Sequence, residues 1–339
     1  MNRTYNIAIY AADTLVGETL VRQLEGQLFG GNPLPIMTLY PLSESVDPFG
    51  SVEFHGEVLE YIFVGDAGFA SVDFLVMPAG CDRNAELMTR AIENGCIVID
   101  ASKGAASQGY TLPVMVGLNE YFIEEAVGNR YFSVPGSSVA SLVPVLQTLH
   151  QQISLSRINL VVMQPVAALG KKGLDVLRQQ TIELLNGKPV ERGEFSRRLA
   201  YNLIPEKNTA EDEQVSDEDN MRNELLVTLG DEVDICVTCI TAPVFYGDSY
   251  VIDMESVQPI DIYEISSLLS ELPQVSVIED SNLPTVEDAA GSEQIHIGKI
   301  RQVSHCGSGL SFWVVVDSIK RNAVHAVELI GLLIKDFAK

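Results

Sequence analysis

Through the first ~130 residues, short apolar runs alternate with segments of helical period. The runs cover residues 6–11, 36–40, 72–77, 96–100 and 131–134. Between them, Leu15, Leu20, Val21 and Leu24 fall on one face of a helix over 14–24. A second helix is expected over 85–94, closed by Gly95. Strands that are apolar on both faces must be covered on both faces, so the alternation predicts a parallel sheet flanked by helices. A nucleotide-binding architecture is the default for such a unit.

Past Pro135-Gly136-Ser137-Ser138 and a helix expected over 139–150, the chain changes character. Strand candidates at 157–166, 233–243, 250–258, 294–303 and 310–317 are rich in β-branched residues and irregularly connected. That pattern reads as a mixed or antiparallel sheet. Helices are expected over 173–186, stopped by Gly187, and over 323–337. The fold class is therefore α/β. An N-terminal Rossmann-like domain comprises 1–133 with a closing helix in 318–339, and a second α+β domain comprises 134–317.

With 46% apolar and 20% charged residues in 339, the chain can bury sizeable cores. Its net charge of −24 repels phosphate backbones, which argues against nucleic acid and anionic membranes as partners. No apolar stretch reaches the ~18 residues of a membrane span. The N-terminus runs straight into a strand without the pattern of a signal peptide, so a cytoplasmic location is expected. Five scattered cysteines argue against a disulfide framework. Eleven carboxylates against Lys207 and Arg222 over residues 206–234 read as a solvated surface. A docking surface for a basic partner or a divalent-cation site are the alternatives, and without clustered ligand spacing no metal is assigned.

Three local patterns bear on chemistry. The first strand–helix turn, Ala11-Ala12-Asp13-Thr14-Leu15-Val16-Gly17, keeps only Gly17 of a glycine-rich phosphate cradle, and Asp13 adds negative charge. If a dinucleotide binds, Thr14, Leu15, Val16 and Gly17 would meet it, with Gly170 and Lys171 supplying a second contact. Cys236 and Cys239 form a C-x-x-C, but on a strand residues three apart face opposite ways, so both read as structural. Ser137 stands at a strand-to-helix turn, where a serine caps a helix or, given a base, acts as a nucleophile.

Taken together, several segments resemble the aspartate-semialdehyde dehydrogenase family from end to end. They include Gly170-Lys171-Lys172-Gly173-Leu174-Asp175, Ala200-Tyr201-Asn202-Leu203-Ile204-Pro205, Ala242-Pro243-Val244-Phe245-Tyr246-Gly247 and Pro284-Thr285-Val286-Glu287-Asp288-Ala289-Ala290-Gly291. Within the family the chain is most similar to Usg-type paralogues. The resemblance implies an NADPH-dependent conversion of an acyl phosphate to an aldehyde, with a cysteine nucleophile and a histidine acid/base. It also implies a homodimer formed through the second domain.

Carried over residue by residue, the chemical positions depart. The nucleophile motif P-N-C-[ST] reads Pro135-Gly136-Ser137-Ser138, and the base motif G-H-S reads Gly247-Asp248-Ser249. The substrate-carboxylate arginine falls on Thr241 and the phosphate-binding arginine on Ala106. A serine hydroxyl needs a positioned base, whereas a thiol is readily ionised. An ionised Asp248 would accept protons poorly at neutral pH. The expectation is a non-catalytic homodimeric paralogue with a binding or regulatory role and a protein partner. The alternative is a residual or altered NAD(P)-dependent oxidoreductase. The residues themselves assign no cofactor; NADP enters only through the resemblance.

Overall fold

A computed structural model describes residues 3–337 except 27, 30–31, 46–49, 106–112, 121–122, 124–129, 207–214, 279–280 and 304–306. The chain divides into two compact units, Met1–Ala140 with Ile319–Lys339, and Ser141–Ser318.

Among the described residues, the main sheet of the first unit has six strands: β1 (Tyr5–Ile9), β2 (Ile36–Ser43), β3 (Ile62–Phe63), β4 (Phe74–Met77), β5 (Ile97–Asp100) and β6 (Tyr131–Ser133). All neighbours pair in parallel in the order β3-β2-β1-β4-β5-β6. This is the doubly wound nucleotide-binding order, whose switch point lies between β1 and β4. Side chains alternate between two cores. Ile7, Ile9, Phe74, Val76, Ile97 and Ile99 enter one. Ala8, Leu75, Met77 and Val98 enter the other. Helix α1 (Leu15–Gly26) sends Leu20, Val21 and Leu24 to the first core, as the sequence period requires. The C-terminal helix, Ser318–Phe337, adds Val327, Ile330 and Leu333 to the same side. Helix α2 (Ala85–Glu93) covers the opposite face with Leu87, Met88 and Ala91. Asn84 caps it by accepting the Leu87 amide at 3.0 Å.

The second unit carries β7 (Leu155–Gln164), β8 (Ile204–Pro205), β9 (Asp234–Thr241), β10 (Asp248–Ser256), β11 (Val275–Ile278), β12 (Ile295–Gln302) and β13 (Gly309–Val316). Their order is β8-β9-β7-β10-β13-β12-β11. The sheet is mixed: β7–β9 and β11–β12 run parallel, while β7–β10, β10–β13, β12–β13 and β8–β9 run antiparallel. Ile158, Leu160, Val162, Tyr250, Ile252, Phe312 and Val314 form its buried face.

Helix α3 (Ser137–Ile153) begins two residues before the sequence reading placed it, so Ser137 is its first helical residue rather than its cap. Helix α4 (Gly170–Leu185) also starts earlier than expected. Helix α5 (Asp217–Leu229) occupies part of the acidic segment read as a surface.

Candidate functional site

The carboxyl ends of the first unit's strands form the place where a doubly wound sheet takes its ligand. The turn after β1 keeps a glycine-like backbone without the glycine: Ala11 sits at φ +49°. A left-handed alanine costs about 1–2 kcal/mol. Gly17 is fixed by close approach, since a Cβ there would stand 2.2 Å from the Ala11 carbonyl oxygen. Thr14 closes the turn. Its hydroxyl donates to the Ala11 carbonyl at 2.7 Å and accepts the Gly17 amide at 3.1 Å. That takes up one donor of the α1 N-terminus which a phosphate would otherwise meet. Leu15 and Val16 follow as the first helical residues.

Several acidic groups stand around this turn; Asp13 and Glu44 were visible in the sequence at these places, and Asp100 was not singled out. Asp13 Oδ2 accepts the Ser45 hydroxyl at 3.1 Å. The Tyr10 hydroxyl donates to Glu44 Oε1 just past β2, and burial pushes the Tyr10 phenol upward. At the end of β5, Asp100 is fully buried. It accepts Tyr131 Oη at 2.7 Å and Ser102 Oγ at 2.5 Å, with Arg83 Nε 3.4 Å away. The available signal was position alone: Tyr10, Glu44 and Asp100 each lie at or just beyond a strand's last residue.

Ser137 is half-buried in the first turn of α3, behind a Pro135 whose carbonyl accepts Asn322 Nδ2 at 3.1 Å. Nearby on the C-terminal helix, His325 contacts the Val114 carbonyl at 3.0 Å. Burial lowers its pKa to about 4, so it is neutral at physiological pH. Ala106 lies outside the described residues.

In the second unit, Asp248 opens β10 opposite Val316 at the end of β13. That register brings Ser318 to it, and Ser318 Oγ donates to Oδ2 at 2.5 Å. Asp248 is 3% exposed. Burial, with Asp317 nearby, pushes its pKa from 3.8 up to about 7, against the opposing pull of Ser318. The expectation of an ionised, poorly basic Asp248 is therefore corrected: the group exchanges its proton near neutrality. Gly247, at φ +85°, is pressed to within 3.0 Å of Val286 at its would-be Cβ. Thr241 ends β9 half-buried and offers a neutral hydroxyl. The Val166 and Ala167 amides donate to the Val244 and Phe245 carbonyls, which ties the segment before Gly170 and Lys171 to the one before Gly247. Gly170 takes φ +74° where α4 begins. Lys171 is exposed.

Glu206, Glu218 and Cys239 come together closely enough to hold a cation. Their donor atoms are already committed. Glu206 accepts the Asp217 and Glu218 amides at 2.7 and 3.0 Å, and Glu218 accepts the Cys239 amide at 2.8 Å. The first two bonds cap α5. Burial pushes the Cys239 thiol up, so it keeps its proton. Cys236 is exposed and Cys239 buried, on opposite faces of β9. Among the described residues, no helix is long and apolar enough to cross a membrane.

A doubly wound parallel sheet and a mixed-sheet unit define a two-domain α/β protein with a Rossmann-like first unit. Residues 146–321 match the family described as semialdehyde dehydrogenase, dimerisation domain, and the chain belongs to that family. It is 28% identical to the aspartate-semialdehyde dehydrogenase of Shewanella violacea, over 99% of this chain and 100% of that one. It is 30% identical, over 99% and 100%, to a USG-1 protein homolog of Pseudomonas aeruginosa. The crystal structure of aspartate semialdehyde dehydrogenase II from Vibrio cholerae superposes with a TM-score of 0.89 at 28% identity, covering 99% and 100% of the two chains.

Proposed function

We propose that this chain is a non-catalytic homodimer of the semialdehyde dehydrogenase family, acting in the cytoplasm through binding or regulation. The observation that carries the reading is Ser137 in Pro135-Gly136-Ser137-Ser138 and Asp248 in Gly247-Asp248-Ser249, where the resemblance implies a cysteine nucleophile and a histidine base. A serine hydroxyl is not ionised at neutral pH, and it needs a base positioned against it. When nucleophile and base act as a unit, loss of either removes most of the rate, and here both are replaced. Thr241 and Ala106 lack the bidentate donors with which arginine clamps carboxylate and phosphate. One regulatory route is a mixed dimer with an active member of the family, and co-purification with such a homologue tests it.

The direct test is oxidation of NADPH or NADH, each in turn, driven by an acyl phosphate, with the purified protein. No turnover above background is expected. A rate in the ordinary enzyme range of about 1–1,000 per second overturns the reading. One observation favours an altered oxidoreductase instead. Asp248, with its pKa pushed up to about 7, has the proton affinity of a general acid or base. A screen of aldehydes with both nicotinamide cofactors separates the two readings.

A further inference from the structure

The family resemblance implies NADP, and the residues at the switch point fit only part of it. What fits is the cradle: the left-handed backbone at Ala11, and Gly17 seated where a Cβ would collide with the Ala11 carbonyl. These keep the tight strand-to-helix turn on which a diphosphate rests. What does not fit is the group beyond β2. In this strand order an acidic residue there accepts hydrogen bonds from the free ribose hydroxyls of NAD, whereas a basic residue accommodates the 2′-phosphate of NADP. Residues 41–50 contain Glu44 and Asp47 and no lysine or arginine.

Glu44 is also held in place. Tyr10, buried at the end of β1, donates its hydroxyl to the carboxylate. The Ala12 amide donates to the Leu42 carbonyl at 2.9 Å, which ties the turn to the end of β2. The Ser45 amide donates to Ser43 Oγ at 3.0 Å, shaping the backbone around Glu44. Asp13, joined to Ser45, adds a second carboxylate on the same side of the turn. The nearest basic residue on α1, Arg22, is paired with Glu18 at 3.6 Å.

We propose that the switch-point crevice of this chain recognises a dinucleotide whose adenosine ribose is unphosphorylated, with Glu44 as the specificity-determining residue, and that it rejects a 2′-phosphate. A carboxylate that accepts from a ribose diol repels a phosphate placed at the same oxygen. Because Thr14 already takes up one α1 amide, recognition leans on the ribose end more than in a glycine-rich turn. The inference concerns binding alone and holds whether or not the chain turns substrate over.

Calorimetric titration of the full chain with NAD, NADH, NADP and NADPH tests it. Saturable binding of NAD or NADH is expected. The phosphorylated pair should bind about tenfold to a hundredfold more weakly, the span of a lost charge-assisted hydrogen bond. Glu44 is exposed, so Glu44→Gln should leave the circular dichroism spectrum and melting temperature unchanged while narrowing that ratio. Equal or tighter binding of NADP(H), binding of neither pair, or an unchanged ratio in Glu44→Gln overturns the proposal. None of these outcomes depends on the turnover assay, so the two readings fail separately.

Discussion

At Asp248 the fold holds a proton that an unfolded chain would lose. The carboxyl's pKa stands at about 7 in the folded state against 3.8 for a free side chain. Between those values the folded state binds more protons than the unfolded one, so this group makes stability fall as pH rises from about 4 to about 7. Above that window the penalty is constant. At 1.36 kcal/mol per unit it is bounded at about 4 kcal/mol. Asp248→Asn should therefore be more stable than the parent at pH 8 and gain less at pH 5. Urea midpoints at the two pH values measure this, and an equal effect at both contradicts it. Ser318→Ala removes a donor that favours the charged form, and should push the Asp248 pKa higher still. On the proposed reading of Ser137 as the nucleophile position, Ser137→Cys supplies a thiol without a histidine base or arginine clamps. Acyl-phosphate-driven NADPH oxidation should stay at background in that variant.

Elements divide by how much of their cause is local. The βαβ pattern was legible because a strand buried on both faces leaves a continuous apolar run, and α1 because Leu20, Val21 and Leu24 share a face. The mixed sheet was legible in kind but not in extent. Strands such as β3 and β8, two residues each, carry no period at all. Helix α5 was hidden by its charge. Asp217, Glu218 and Asp219 in its first turn read as a solvated surface, yet negative charge there complements the helix dipole. At the candidate site, the assignment of Ser137, Asp248, Thr241 and Ala106 to chemical positions rests on the resemblance alone. The Asp248 pKa was not legible, because its burial depends on the β10–β13 register. The Ala11 conformation was hidden for a different reason: an alanine gives no sign of a positive φ, and the turn contacts that hold it, from Thr14 and Gly17, show only in the structure.

Two substitutions probe element contacts directly. Gly17→Ala drives a methyl into the Ala11 carbonyl, with only backbone available to move, and should cost at least about 2 kcal/mol by denaturant unfolding. Gln180, fully buried on α4, accepts the Leu199 and Ala200 amides at 2.8 and 3.0 Å and donates to the Glu191 carbonyl at 2.9 Å. Gln180→Leu leaves three backbone groups without their partner. It should cost about 2–4 kcal/mol in the same measurement, at one to a few kcal/mol per unsatisfied group. A loss below 0.5 kcal/mol in either variant would contradict the packing described.

For the whole molecule, the question is what covers the open side of the second unit's sheet. Alternation along the strands sends Leu160 and Ile252 inward and leaves Val161 and Val251 half-exposed. The registers align Thr238 with Val161, Val161 with Val251, and Val251 with Trp313. A largely apolar row thus runs across β9, β7, β10 and β13. Such a row on four neighbouring strands is costly to leave in water, and we propose that a second copy of the same face covers it by two-fold symmetry. The proposed homodimer uses this face, consistent with the dimerisation-domain family matched over residues 146–321. Val161→Asp places a carboxylate in the middle of the row, where its like-charged twin faces the same interface. Sedimentation velocity should show the parent as a dimer and Val161→Asp shifted to monomer at micromolar concentration, with far-ultraviolet circular dichroism unchanged. Because Val161 is not fully buried in the single chain, the substitution burdens assembly more than folding. Val161→Ala removes only two methyl groups and should leave the dimer largely intact. If Val161→Asp sediments as the parent does, another surface of the second unit makes the dimer, and the row across β9, β7, β10 and β13 faces solvent.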